Sequence, residues 1–207
     1  MVAQTMKLET IAEHTIAPDL LTGGFVLDAG CLGFEFGLEF CRRGHPVVFV
    51  DPAPDIEPPA SLFDLPKWAN FVRGAVVGEG YPSKMPLRMT ADKQARHLTN
   101  AAKEGDPMVT TTTLHNLMRE MNVEQWDVLK LDIEGAEHDV LMSIEGPIAR
   151  QLTVEWHEHC APKGDAAIQA VVDHLSRWYV PVQHAKDKRH CLPENWWDSL
   201  FVLRDLV

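Results

Sequence analysis

Phe25-Val26-Leu27-Asp28-Ala29-Gly30-Cys31-Leu32-Gly33-Phe34-Glu35-Phe36-Gly37 packs three kinds of local structure into one stretch of chain. Phe25–Asp28 reads as a short apolar strand. A glycine-bearing loop follows at once, and Glu35 opens a helix that sets Phe36 and Phe40 on one face and stops at Gly44. A strand that runs through a glycine loop into a helix is the opening unit of a doubly wound α/β sheet.

The pattern continues outward. Val47–Val50 is a buried strand closed by Asp51 and Pro52, and the proline-rich stretch from Pro52 to Pro66 reads as a surface loop. Asn70–Val77 is a third strand, whereas Gly78–Pro107 shows no usable period. Leu114, Leu117, Met118 and Met121 form one apolar helix face. Trp126–Ile133 is a fourth strand, Ala136–Ile144 a helix stopped by Gly146-Pro147, and Gln151–His157 a fifth strand. Ile168, Val171, Val172 and Leu175 repeat the helical spacing behind Asp165, a candidate N-cap. Tyr179–Gln183 and Ser199–Leu203 close the series. Seven strands interleaved with helices predict a Rossmann-like α/β sheet in one domain over 1–207, with 1–20 as an N-terminal helical extension.

Composition narrows the function. With 207 residues, 45 % apolar and 24 % charged, the chain falls in the soluble globular range. Its apolar runs reach only four residues, against the roughly 20 needed to cross a membrane, so no membrane partner is expected. A formal charge of −11 argues against nucleic acid, which is bound through lysine and arginine. No basic-then-apolar leader opens the chain, and Cys31, Cys41, Cys160 and Cys191 lack CxxC spacing. Both features fit a cytoplasmic protein with free thiols.

The loop and the acid after it point to a ligand. Glycines between strand and helix let a backbone approach a bound molecule closely. Asp51, at the end of the next strand, is placed to accept both hydroxyls of a ribose. A dinucleotide would put its pyrophosphate at the helix N-terminus, where Glu35 repels it, and the spacing here is G-x-x-G-x-x-x-G rather than G-x-G-x-x-G. S-adenosylmethionine has a ribose and no phosphate, so the loop favours it.

A second constellation is more specific. Trp126-Asp127-Val128-Leu129-Lys130-Leu131-Asp132-Ile133-Glu134-Gly135-Ala136-Glu137 follows a threonine-rich strand, Val109–Leu114, and precedes Leu152-Thr153-Val154-Glu155-Trp156-His157. This succession resembles the FkbM-type methyltransferases. Their hallmark is a strand ending in Lys-hydrophobic-Asp-hydrophobic-Glu-Gly-Ala-Glu, with a Glu-x-His strand end after it. The resemblance runs from about Phe25 to the C-terminus and implies a class I methyltransferase sheet whose last strand is antiparallel. It also implies methyl transfer from S-adenosylmethionine, commonly to a hydroxyl of a sugar or other small molecule. One position departs: the family's second loop glycine would fall at 34, where this chain has Phe34.

The residue-level expectations follow. Asp28, Gly30, Cys31, Leu32, Gly33, Phe34, Asp51 and Asp132 are the candidate cofactor contacts. Strand alternation places Lys130 and Asp132 on one side of their strand, and Thr153, Glu155 and His157 on one side of the next. Asp132, Glu134, Glu155 and His157 are therefore the candidate catalytic cluster, with His157 the first choice for general base. Lys130 and Glu155 also read as a structural ion pair between neighbouring strands, and Glu137 as an acid favoured in a helix's first turn. The same cluster, with His159 and Cys160 nearby, offers oxygen and imidazole ligands, so a divalent cation stays open and no metal ligand is assigned. Gln183–Trp197, with Trp196 and Trp197, is an acceptor-side loop candidate. A small-molecule or glycan acceptor is expected, and a homo-oligomer stays open. The alternatives are a nicotinamide-dependent oxidoreductase, which lacks its Tyr-x-x-x-Lys pair here, and a non-catalytic S-adenosylmethionine-binding module.

Overall fold

Why the sheet has two dry faces is plain from alternation along its strands. In the computed structural model, which describes residues 6–60, 69–89, 96–157, 165–184 and 196–207, β3 (Val26–Ala29), β4 (Val47–Asp51) and β10 (Trp126–Leu131) are buried along their whole length. Val26, Val47, Phe49 and Val128 face one core, whereas Leu27, Val48, Val50, Leu129 and Leu131 face the other. Strands buried on both faces read as continuous apolar runs.

The sheet has seven strands in the order β12-β13-β11-β10-β3-β4-β5, where β5 is Ala69–Arg73, β11 Ala149–His157, β12 Tyr179–His184 and β13 Trp196–Leu203. All ladders are parallel except those of β13, which runs antiparallel to both β11 and β12. This is the expected α/β class, antiparallel last strand included. Helices cover both faces. The α1 helix (Glu35–Arg42) buries Phe36 and Phe40 on one face. On the other, α2 (Leu114–Met121), α3 (Glu137–Met142) and α4 (Asp165–Leu175) contribute Leu114, Leu117, Val140, Leu141, Ile168, Val171 and Leu175. Each such side chain, fully buried, contributes about 1.5–3 kcal/mol. Thr113 caps α2 by accepting from the Asn116 N–H at 3.2 Å.

Two regions differ from expectation. The N-terminal segment is not a helical extension: β1 (Glu9–Ile11) and β2 (His14–Ile16) form an antiparallel hairpin, followed by a 3-10 turn at Pro18–Leu20. Its two turn residues, Ala12 and Glu13, both have positive φ, at 44° and 71°. Such turns usually announce themselves with Asn-Gly or Asp-Gly, and this one does not. The unassigned stretch after residue 78 instead joins a second sheet of order β6-β9-β7-β8, built from Ala75–Val76, Met108–Thr112, Lys84–Met89 and Arg96–Leu98. The expected strand Asn70–Val77 is therefore split: β5 belongs to the main sheet and β6 to the added one. The proline-rich 52–66 is described only to residue 60.

Candidate active site

The site lies at the carboxyl ends of β3, β4 and β10, where ligands of open α/β sheets bind. Gly30 has φ +79°, and a Cβ there would stand 1.6 Å from the Asp132 carbonyl oxygen. The glycine is thus required because the loop after β10 crosses directly over it, a reason more specific than ligand access. Gly37 answers a packing need, since a Cβ would meet the Phe49 ring at 2.2 Å. Phe34 adopts the left-handed conformation itself, φ +63°, and its ring packs against Phe49 and Phe71 at 5.4 and 5.9 Å.

Lys130 organises the floor. Its ammonium donates to the Gly30 carbonyl at 2.8 Å and pairs with Asp28 at 3.0 Å and Asp132 at 3.2 Å. Burial alone would push this ammonium down, but the charges of Asp28 and Asp132 outweigh it and hold it above its usual value. Burial likewise disfavours an ionised Asp132. The Lys130 charge, with help from His14 and His157, overrides that and holds the carboxyl well below the usual carboxylate range. Lys130 thus pairs with Asp28 on β3 and with Asp132, not across to Glu155 as expected. Glu155 instead faces His14, 4.0 Å away. Asp28 also accepts from the Gly37 N–H at 3.0 Å, so its carboxylate serves the loop's shape.

His157 is gripped from the side. Its Nδ1 lies 2.7 Å from Glu137 Oε1, and its Nε2 lies 3.4 Å from Asp132 and 3.8 Å from Glu134. Burial would lower its pKa, but the Glu137 hydrogen bond and the charges of Glu137, Asp132 and Glu134 raise it to about 10. Glu137 does more than favour a helix start. Fully buried, it also accepts from the N–H groups of Ile133 and Gly135, which fixes the loop carrying Glu134. Glu134 itself has φ +55°.

Two hollows share this floor. One, about 640 Å³, runs from Asp51 to Asp132 and Glu134 between Gly30 and the apolar wall of Val76, Leu87, Leu98 and Ile133. The second, about 370 Å³, is lined by Asp28, Gly30, Cys31, Leu32, Gly33, Phe34, Asp132, Glu155 and His14. Every expected cofactor contact therefore lies in one hollow or the other, and Gly30, Leu32 and Asp132 lie in both. Asp51 is pushed up by burial, opposed by the Ala53 N–H that its carboxylate accepts at 2.9 Å. The Cys31 thiol is raised by burial. A third hollow of about 580 Å³ adjoins them through Glu134 and Leu98, and Tyr81, His97, Asn100 and Asp139 line it. His14, Arg96 and the Leu87–Leu98 wall escaped the sequence reading, because each belongs to a hairpin or short strand with no period. His159, Cys160, Cys191 and residues 185–195 of the acceptor-side loop lie outside the described residues.

The family model for the methyltransferase FkbM domain matches residues 35–178. The chain belongs to the FkbM methyltransferase family. No curated protein sequence matches it. Among solved structures, this FkbM chain resembles the Methanococcus jannaschii fibrillarin pre-rRNA processing protein, at 9 % identity and a TM-score of 0.52, covering 98 % of this chain and 86 % of that one. It is also similar to the Burkholderia thailandensis 1,6-didemethyltoxoflavin-N1-methyltransferase with bound S-adenosylhomocysteine. There the identity is 16 % and the TM-score 0.44, over 86 % of this chain and 70 % of that one. By family, the FkbM chain is a methyltransferase.

Proposed function

We propose that this chain transfers the methyl group of S-adenosylmethionine to a hydroxyl of a neutral small molecule or glycan, as a cytoplasmic enzyme without a nucleic-acid partner. The observation that carries the reading is the place of Glu134, the residue common to the Asp51–Asp132 trough and the Tyr81–His97 hollow. A donor in the trough and an acceptor in the hollow meet there. The trough suits the donor: Asp51 stands at one end to accept ribose hydroxyls, Val76, Leu87 and Leu98 offer apolar faces for a flat ring, and carboxylates favour a sulfonium. When bound, S-adenosylmethionine supplies an electrophilic methyl carbon.

The chain's residues then align, exclude water and move one proton. Glu134 is placed to accept the acceptor's hydroxyl proton as its oxygen attacks the methyl and the carbon–sulfur bond breaks. His157, expected as the base, is buried and bound to Glu137, and so acts as a positioning residue for Asp132 and Glu134. Holding acceptor and methyl in line can contribute on the order of 7–11 kcal/mol. The acidic lining of the hollow, Glu134 and Asp139, selects against anionic acceptors. Cys31 and Cys41 are free thiols, in keeping with a reducing compartment.

Incubation with methyl-labelled S-adenosylmethionine and metabolites fractionated into neutral, anionic and basic pools tests the reading. Labelled product that disappears with Glu134→Gln, while donor binding persists, is the expected result. Label confined to anionic or nitrogen acceptors would overturn it.

A further inference from the structure

Under the N-terminal hairpin, three side chains from three different elements turn heteroatoms toward one point. His14 Nε2 on β2 lies 3.8 Å from Asp132 Oδ2, just past the end of β10, and 4.0 Å from Glu155 Oε2 on β11. The three donor atoms all fall within 4.8 Å of one another. The hairpin is pinned over β11 by Gln151, so His14 is held here by the fold rather than by its own mobility.

His14 is the telling member. Its side chain is 2 % exposed, and Nδ1 is buried without a hydrogen-bond partner among the described residues. A buried polar group left unpaired is costly, and such exceptions call for a ligand or a functional account. The imidazole packs edge-on to Phe36 at 5.5 Å, which fixes its plane and leaves Nε2 facing the two carboxylates across the 370 Å³ hollow.

We propose that His14, Asp132 and Glu155 bind a divalent cation. One imidazole with two carboxylates is a donor set that suits manganese or zinc. Ligands held at 2.0–2.2 Å stand between about 3.0 and 4.4 Å apart, depending on angle. The 3.8 and 4.0 Å separations fall inside that window. An ammonium group is the other cation that three acceptors hold, but its acceptors at about 2.9 Å would stand near 4.7 Å apart, wider than either. The ion would tie the hairpin to β10 and β11 and close one end of the hollow.

Metal-stripped full-length protein titrated with Mn2+, with the free ion followed by its electron paramagnetic resonance signal, tests this without any activity readout. One ion bound per chain is expected. His14→Phe, which keeps a ring against Phe36, and Glu155→Gln should each weaken binding about tenfold or more. Thermal melting of both variants without metal verifies that they fold. No uptake by the parent protein, or undiminished uptake by both variants, overturns the proposal. Release of the ion one for one by S-adenosylhomocysteine also overturns it, by assigning the three acceptors to the donor's ammonium. Since metal uptake is read on the apoprotein, its failure and the failure of methyl transfer are separate results.

Discussion

Gln151 holds Ala17 by both ends of its amide: Oε1 accepts the Ala17 N–H at 2.7 Å, and Nε2 donates to the Ala17 carbonyl at 3.1 Å. Gln151 is fully buried on β11, so this pair is the latch between the hairpin and the sheet. Replacing it with methionine keeps the volume and leaves a buried N–H and carbonyl unpaired. Gln151→Met should cost roughly 2–6 kcal/mol in urea unfolding, at about 1–3 kcal/mol for each of the two orphaned groups. Unchanged stability would mean the hairpin has no such latch.

Phe34 sets two effects against each other. Left-handed backbone costs a non-glycine residue about 1–2 kcal/mol, while removing a buried phenylalanine costs about 3–5 kcal/mol. Phe34→Ala loses the ring and keeps the strain, whereas Phe34→Gly loses the ring and relieves it. Both variants should be less stable than the parent, with glycine above alanine by about 1–2 kcal/mol. The reverse order in urea titrations would remove the strain account.

Asp51 predicts a trade between stability and binding. Burial raises its pKa above the ordinary aspartate value, so the folded state takes up this proton more readily than the unfolded chain. The group's contribution is therefore complete below the unfolded pKa and is lost as pH rises through the folded one. Asp51→Asn should raise the apoprotein melting temperature at pH 7. The gain should close as pH falls below 4. The same variant should weaken S-adenosylmethionine by roughly ten- to hundredfold, because the ribose loses a charged acceptor. A thermal-shift series read with and without the donor checks both halves.

Glu137 gathers three donors, from Ile133, Gly135 and His157. Glu137→Ala orphans all three and should cost about 3–5 kcal/mol. Glu137→Gln should recover most of that stability yet lower kcat more than it raises KM, since Glu134 sits on the loop that Glu137 fixes. Equal kcat in the parent and the glutamine variant would detach the loop from the chemistry.

The main sheet was legible in the chain because strands such as β3, β4 and β10 are buried on both sides and announce themselves as unbroken apolar runs. The cluster at the ends of β10 and β11 was legible for the same reason, through alternation about Asp132 and Glu155. His14 was not. Its strand is three residues long, its turn is Ala12-Glu13, and its latch is Gln151, far along the chain. The wall of Leu87 and Leu98 was hidden because β7 contains Pro86 and β8 spans only three residues. Short strands in an added sheet carry too few positions for a period to show. At Phe34, sequence marks a missing glycine, and only the backbone reveals that the phenylalanine takes the glycine's conformation.

The position of β3 in the middle of the sheet has a consequence in time. β3 lies between β4 and β10, with Val26 opposite Val128. A ribosome that has finished β3 must add about a hundred further residues before its second neighbour exists, roughly 5–20 s of synthesis. Gln151, the hairpin's anchor, comes later still. Until then a central strand with two apolar faces and an open hydrogen-bonding edge waits in the nascent chain, and the first half of this protein is the part that most needs shelter during its own birth.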